Sequence, residues 1–403
     1  MTRSHQRAAL GWSWAALALN GYGILVFGAA VPVMLRSGVW GLTREDYALL
    51  GSITLAGMLV GAFAAGNLAD RRGRRPALLT SVGVIACGML ACGLAPTSTT
   101  FGLGRFVVGV GAGLMLPTAA ALVSEFAPDG RKYLYQGAVF GGVGLGGALG
   151  AVIALATHDL TSFRFLFLCG AAPALVLLPA IYRGVPESEE YLRARGSGTP
   201  ATTSTSWRLL LSSDYRTRTL LFWGTTFMSL LLLFGAFTWL PVMMNNAGYD
   251  LGSSLAFLLT LSLGVIAGSL SSSWLADRIG KRHVIIGSFA GTAIAFCLVG
   301  GAPPPVIGYV LVAAIGAGAV NAQFLINGYV AASYPTMHRG TALGSTLSVG
   351  RLGGVIGPLY GGSLLRDDWS SAIPFYGFAV PAVVAALLTV AIPVEQVRQW
   401  ESV

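Results

Sequence analysis

Charge is the scarcest property of this 403-residue chain: only 10% of its residues are Asp, Glu, Lys or Arg, while 54% are hydrophobic. An ordinary globular domain carries about 25% charged residues, so a water-soluble protein of this length is excluded. Cysteine is scarce too. The four present, Cys87, Cys92, Cys169 and Cys297, lie inside apolar runs at spacings that suit neither a metal site nor a disulfide framework, and they read as small core or lipid-facing residues. There is no phosphate-binding glycine loop ending in lysine, no metal-ligand spacing and no polar domain large enough for ATP hydrolysis. An enzyme is therefore not expected, and neither is a resident cofactor or metal. The first apolar run is as long as the others and lacks a small-residue cleavage site, so it reads as a membrane span and not as a cleaved signal.

What is abundant is long apolar sequence. Runs bounded by charged or turn residues fall at 12–34, 47–69, 77–95, 99–126, 136–156 and 163–183. After a polar stretch, six more follow at 217–243, 251–275, 283–301, 305–332, 339–365 and 371–393. Each is close to the roughly 20 residues that cross a bilayer as a helix, which predicts an all-α integral membrane protein of twelve spans. The domains are then a six-helix half at 1–183, a cytoplasmic central loop at 184–216 and a second six-helix half at 217–403. Within the loop, the stretch from Gly196 to Ser204 has linker composition.

The net charge of +9 is explained by topology. An even number of spans puts both termini on one side, and 19 of the 25 Lys and Arg fall on that side, against four on the other and two, Arg105 and Arg351, within spans. By the positive-inside rule both termini are cytoplasmic. Anionic cytoplasmic lipid then accounts for the basic excess, and no nucleic-acid partner is needed.

The chain also repeats itself. Pro32-Val33-Met34-Leu35 recurs as Pro241-Val242-Met243-Met244, an offset of 209; Leu68-Ala69-Asp70-Arg71-Arg72-Gly73-Arg74 recurs as Leu275-Ala276-Asp277-Arg278-Ile279-Gly280-Lys281, an offset of 207; and Gly142, Gly146 and Gly150 recur as Gly353, Gly357 and Gly361, an offset of 211. Duplicated halves with a central site are how secondary transporters alternate access. The segment from Gly66 to Arg75 joins the second and third spans, where Gly73 supplies a tight turn and Asp70 can pair with arginines or face a helix terminus. Gly66, Asp70, Arg71, Gly73 and Arg74, with Asp277, Arg278 and Gly280 in the second half, are thus candidates for a cytoplasmic gate. The arginines alone can also be read as topology determinants.

These segments, together with Arg105-Phe106-Val107-Val108-Gly109-Val110-Gly111, resemble the motifs of the major facilitator superfamily. Nearly end to end, the chain resembles that superfamily's aromatic acid:proton symporters. The supporting residues are Gly57 to Ala62, Pro117 with Glu125 and Pro128, Trp239-Leu240-Pro241, Tyr334-Pro335-Thr336 with Arg339, and Gly350-Arg351-Leu352-Gly353. The resemblance implies the twelve-span fold and alternating-access transport of a small aromatic carboxylate, in the uptake direction, across the cytoplasmic (inner) membrane. One departure stands out. Where those symporters carry Asp-Gly-aromatic-Asp in the first span, this chain has Asn20-Gly21-Tyr22-Gly23, and no Asp or Glu lies in the central part of any span. The driving ion that the resemblance implies is H+, for which the remaining candidate carriers are Asp70 and Glu125, both toward the cytoplasmic side.

Intramembrane charges are costly, so a functional role is their default reading. At 1.5 Å per residue, Arg351 lies about 18 Å along its span and Tyr22 about 15 Å along its own, both near the midplane. A guanidinium matches a carboxylate bidentately, and a tyrosine can flank a ring. Arg105 and Arg351 can equally brace the fold by bonding helix carbonyls. Asn321, Gln323 and Asn327 can bond substrate or a neighbouring helix. Asn20, Tyr22, Arg105, Asn321, Gln323, Asn327 and Arg351 therefore make up the candidate substrate site, whereas Trp223, Phe227 and Phe234 read as packing and Trp239 as an interfacial anchor. Gly357-Pro358 resembles a motif that antiporters carry in the fifth span, but here it lies in the eleventh, which weighs against a drug or metabolite exporter. An uncoupled facilitator or sensor is the other alternative. The partners expected are one small aromatic acid and the bilayer, with the protein acting as a monomer.

Overall fold

The structure, a computed structural model, describes residues 3–128, 132–157, 162–188, 210–213, 215–334, 338–366 and 368–393. The stretch at 196–204, Arg131, Pro335, Thr336 and Arg398 lie outside the described residues, as do the side chains of Asp70, Arg71 and Lys132 and the surroundings of Gly66.

In chain order the helices are α1 (Arg3–Ser37), α2 (Arg44–Arg72), α3 (Arg74–Leu94), α4 (Ser98–Phe126), α5 (Lys132–Thr157), α6 (Phe163–Ala171), α7 (Ala174–Gly184), α8 (Arg216–Asn246), α9 (Leu251–Ile279), α10 (Lys281–Gly300), α11 (Pro305–Ala332), α12 (Arg339–Leu364) and α13 (Ile373–Ala391). Among the described residues, eleven stretches are long and apolar enough to cross a membrane, with α6 and α7 together forming one of them. The twelfth, α12, is diluted by its glycines and by Arg351. The expected sixth span is interrupted because Pro173 cannot donate to the helix ladder, so the chain breaks between Ala171 and Ala174.

Two compact units result: Met1–Ala201 with Asp250–Ser262, and Thr202–Tyr249 with Leu263–Val403. The boundary falls within α9 rather than only in the central polar stretch.

Inside each unit the glycine repeat has the same use. In the first, α5 lies directly on α1, and a Cβ at Gly146 would run into the backbone of Ala18 and Tyr22. In the second, α12 lies on α8, and a Cβ at Gly353 would run into the backbone of Phe227. Small residues let backbones approach this closely where lipid offers no competing hydrophobic drive. Trp239 is not an interfacial anchor. It is fully buried, and its indole Nε1 donates to Pro358 O at 2.7 Å, tying α8 to α12. All four cysteines are free thiols.

Candidate functional site

The turn between α2 and α3 is made by Gly73 at φ +99°, and its repeat counterpart Gly280 makes the turn between α9 and α10 at φ +87°. Both glycine N–H groups donate at 3.0 Å to the carbonyl four residues back, Ala69 and Ala276. The positive φ explains why glycine stands at both positions. The α3 N-terminus has no capping side chain of its own. Glu187, just after α7, fills that role: its Oε1 accepts from the backbone N–H of Arg74 at 2.7 Å and of Arg75 at 3.2 Å. An anion there meets unpaired N–H groups and the positive end of the helix dipole. A Cβ at Gly73 would strike the Glu187 carboxylate, a second reason for glycine.

The surroundings of this turn are built around the same arginines. Glu125 lies 3.6 Å from Arg74 Nε, and Arg75 donates to the carbonyl of Tyr182 while its guanidinium lies 4.6 Å over the Tyr182 ring. Sequence reasoning missed Glu187 in this role. The available signal was the run Gly73-Arg74-Arg75-Pro76, which starts a helix with no acceptor side chain and so requires one from elsewhere. The second copy is held differently. Arg278 stacks on Trp274 at 3.8 Å, and Asp277 is exposed with no ion pair among the described residues.

The substrate candidates separate into those already satisfied and those not. Tyr22 is buried, and its hydroxyl donates to Leu166 O at 2.6 Å. Its ring lines an apolar cavity of about 410 Å³ with Trp14, Ala18, Leu149, Cys169 and Val176. Arg105, only 2% exposed, donates to Gly23 O at 2.9 Å and to Ile24 O at 3.5 Å, and its guanidinium lies 4.7 Å over the Phe27 ring. All three contacts are with α1. In α11, Asn321 Nδ2 donates to Ala317 O at 2.7 Å and Val265 O at 3.4 Å, while Gln323 Nε2 donates to Asn327 Oδ1 at 3.2 Å. The amide oxygens of Asn321 and Gln323 remain unpaired.

Arg105 Nε is likewise without a hydrogen bond, but Arg351 and Asn20 are the members with no side-chain hydrogen bond at all among the described residues. Arg351 is half-buried within α12 and has no hydrogen bond or ion pair among the described residues. Asn20 is 1% exposed, with both amide atoms unpaired. Of the aromatics read as packing, the Phe234 ring lies against Gly354, the Phe227 backbone meets Gly353, and Trp223 Nε1 bonds Ser345 Oγ at 3.2 Å.

Comparison with known proteins bears on what this arrangement serves. The sequence profile of the Major Facilitator Superfamily matches residues 13–272 and 253–402. The chain is 34% identical over 390 residues to a gentisate transporter of Corynebacterium glutamicum, covering 94% of this chain and 86% of that one. It is 29% identical to a benzoate transport protein of Acinetobacter baylyi, over 90% of this chain and 84% of the relative. To a 4-hydroxybenzoate transporter of the same organism it is 28% identical, over 92% and 87%. Among solved structures, a D-xylose-proton symporter superposes with a TM-score of 0.82 at 17% identity, over 98% of this chain and 99% of that one; that likeness establishes the fold. With the repeated glycine turns, the paired six-helix pattern and the profile match along nearly its whole length, the chain belongs to the Major Facilitator Superfamily.

Proposed function

We propose that this protein carries a small aromatic carboxylate across the cytoplasmic membrane by alternating access, with Arg351 holding the carboxylate. The observation that carries this reading is the contrast between the two intramembrane arginines: Arg105 donates from both terminal nitrogens to α1 carbonyls, and Arg351 has no hydrogen bond or ion pair among the described residues. An unpaired guanidinium in a span is costly unless an anion completes it, and the planar fork suits a carboxylate. The gentisate, benzoate and hydroxybenzoate transporters among the relatives support this substrate class. Arg351→Lys keeps the charge and loses the fork. Binding of benzoate-type acids to the purified variant is expected to weaken about tenfold or more, as losing one charge-assisted bond of about 1.5–3 kcal/mol requires. Unchanged affinity in a folded Arg351→Lys protein overturns the assignment.

Both termini are cytoplasmic, transport runs inward and the protein acts as a monomer in this reading. The gate residues Gly66, Asp70, Arg71, Gly73 and Arg74, with Asp277, Arg278 and Gly280, close the cytoplasmic side. Coupling to protons is weak. Asn20 stands where the resembled symporters carry Asp, and Glu125 sits beside Arg74 at the inner end of α4, far from a position that both sides reach in turn. Proteoliposomes with an alkaline interior are expected to equilibrate substrate without accumulating it, and Asn20→Asp to gain pH-dependent accumulation. Strong uphill accumulation by the unaltered protein, abolished by a protonophore, contradicts weak coupling; its loss in Glu125→Gln then identifies the carrier.

A further inference from the structure

Lipid covers the outer face of any membrane span, but one place on the first unit is concave and runs lengthwise. The apolar cavity of about 410 Å³ is lined by α1 over 14–22, by α5 over 145–153 and by α6 and α7 over 169–177. Each range is a step of eight residues, about 12 Å at the helical rise, so the cavity is a furrow that follows the spans. It opens outward, where Leu149 is 46% and Val176 is 64% exposed. The interruption of the helix at Pro173 lies in its wall.

The lining does not suit an aromatic carboxylate. None of the described lining residues is charged, and the Tyr22 hydroxyl is already spent on Leu166 O, so a carboxylate there finds no cation to offset its desolvation. Charge stands at one end only. Val176 and Arg183 are seven residues apart on α7, two turns along one face, which puts the exposed Arg183 about 10 Å beyond Val176. The same end carries the exposed Trp14 and also Trp12, whose indole nitrogen lies 2.8 Å from where a Cβ at Gly184 would sit. Trp12 thus packs the start of α1 on the end of α7, and tryptophans gather where a span meets lipid headgroups. Arg75 adds a second cation there, 4.6 Å over the Tyr182 ring. Glu187, the first acid after α7, is taken up by the amides of α3.

We infer that this furrow is a binding site for an anionic phospholipid, with one acyl chain lying between α1, α5 and α7 and the headgroup phosphate meeting Arg183. The apolar walls gain from covering by a chain, and their length along the spans fits a chain better than a ring. The cations at the end fit a phosphate, and a headgroup without an ammonium of its own leaves that attraction unopposed, which favours phosphatidylglycerol over phosphatidylcholine. Basic residues beside an intramembrane groove select lipid headgroups in this way. The inference is independent of which substrate the protein carries.

The test uses the purified full-length protein in detergent and a phosphatidylglycerol bearing a photoreactive diazirine on its acyl chain. Illumination is expected to cross-link it to residues within 145–153 or 173–177, and unlabelled phosphatidylglycerol is expected to compete about fivefold better than phosphatidylcholine, the effect of one arginine near an anionic lipid surface. Arg183→Gln is expected to bring that ratio to within about twofold of unity while the cross-linked positions stay the same. Ala15→Phe adds bulk to the wall of the furrow and is expected to remove the cross-links. Cross-links spread evenly over the lipid-facing helices overturn the inference, because ordinary solvation then explains them. Equal competition by the two lipids in the unaltered protein overturns it, as does a preference that survives Arg183→Gln or cross-linking that persists in a folded Ala15→Phe protein. Cross-linking at the furrow that appears only on dilution to monomer gives the site to a second copy of the chain and overturns it as well. Should Ala15→Phe fail to fold, the mapped positions and the Arg183→Gln ratio decide the matter on their own.

Discussion

Arg105 in α4 and Arg351 in α12 are the same side chain within two spans, and the two halves surround it differently. Arg105 lies on the Phe27 ring with its donors on the carbonyls of Gly23 and Ile24. Those contacts fasten α1 to α4 through the two terminal nitrogens and leave the buried Nε without a hydrogen bond. Arg351 lies on a helix whose packing face is taken by glycines against α8, and it keeps its charge without a protein partner among the described residues. The fold therefore decides which charge braces and which is available; residue type and depth do not.

The sharpest way to break this comparison is to replace each arginine by an apolar residue of similar length. Arg351→Met is expected to weaken aromatic-acid binding by about ten- to a hundredfold, the loss of one or more charge-assisted bonds, with little change in thermal stability measured in detergent. Arg105→Met is expected to do the reverse. Losing the carbonyl bonds and the contact with Phe27 should cost about 1.5–3 kcal/mol of stability, lower the melting temperature, and leave the affinity of the folded fraction within about twofold. If both variants lose affinity and keep stability, Arg105 belongs to the binding site and the division proposed between the halves is wrong.

A smaller effect is expected where the two glycine turns are compared. The Glu187 carboxylate caps α3 in the first unit, while the helix after Gly280 has no side-chain cap. Glu187→Gln keeps an acceptor and removes the charge. It should cost about 0.3–1 kcal/mol through the helix dipole, slow exchange of substrate in proteoliposomes, and leave equilibrium affinity nearly unchanged. Exchange at the unaltered rate, with the variant folded, would mean that the contact merely ties down the start of the central stretch.

The twelve-span architecture and the duplication were legible along the chain because lipid simplifies the problem. Each crossing must satisfy its own backbone hydrogen bonds as a helix, so an apolar run of about 20 residues already names the element. The repeat could be read from Gly73 and Gly280 because a positive φ selects glycine in each copy. The break at Pro173 is not decided by the sequence, since a single proline in a span can be bridged by its neighbours. Trp239 was misread because an aromatic near the end of a run looks the same whether it meets headgroups or a carbonyl of a packed helix.

The candidate site was legible only as a set of residues. Asn20, Tyr22, Arg105, Asn321, Gln323, Asn327 and Arg351 were identifiable as polar groups in apolar surroundings, where burial without purpose is costly. Nothing in their spacing said which were already paired. That depends on contacts distant in sequence: Tyr22 with Leu166, Arg105 with Gly23, and Glu187 with Arg74. The sequence by itself determined that this chain crosses the membrane as two related six-helix halves with few charges inside, because hydropathy, glycine turns and charge asymmetry act locally. The tertiary structure alone decided which of those charges and amides were left without a partner, because hydrogen bonds have short reach and strict direction, and only the packed helices bring a donor within range of its acceptor or leave it out of range.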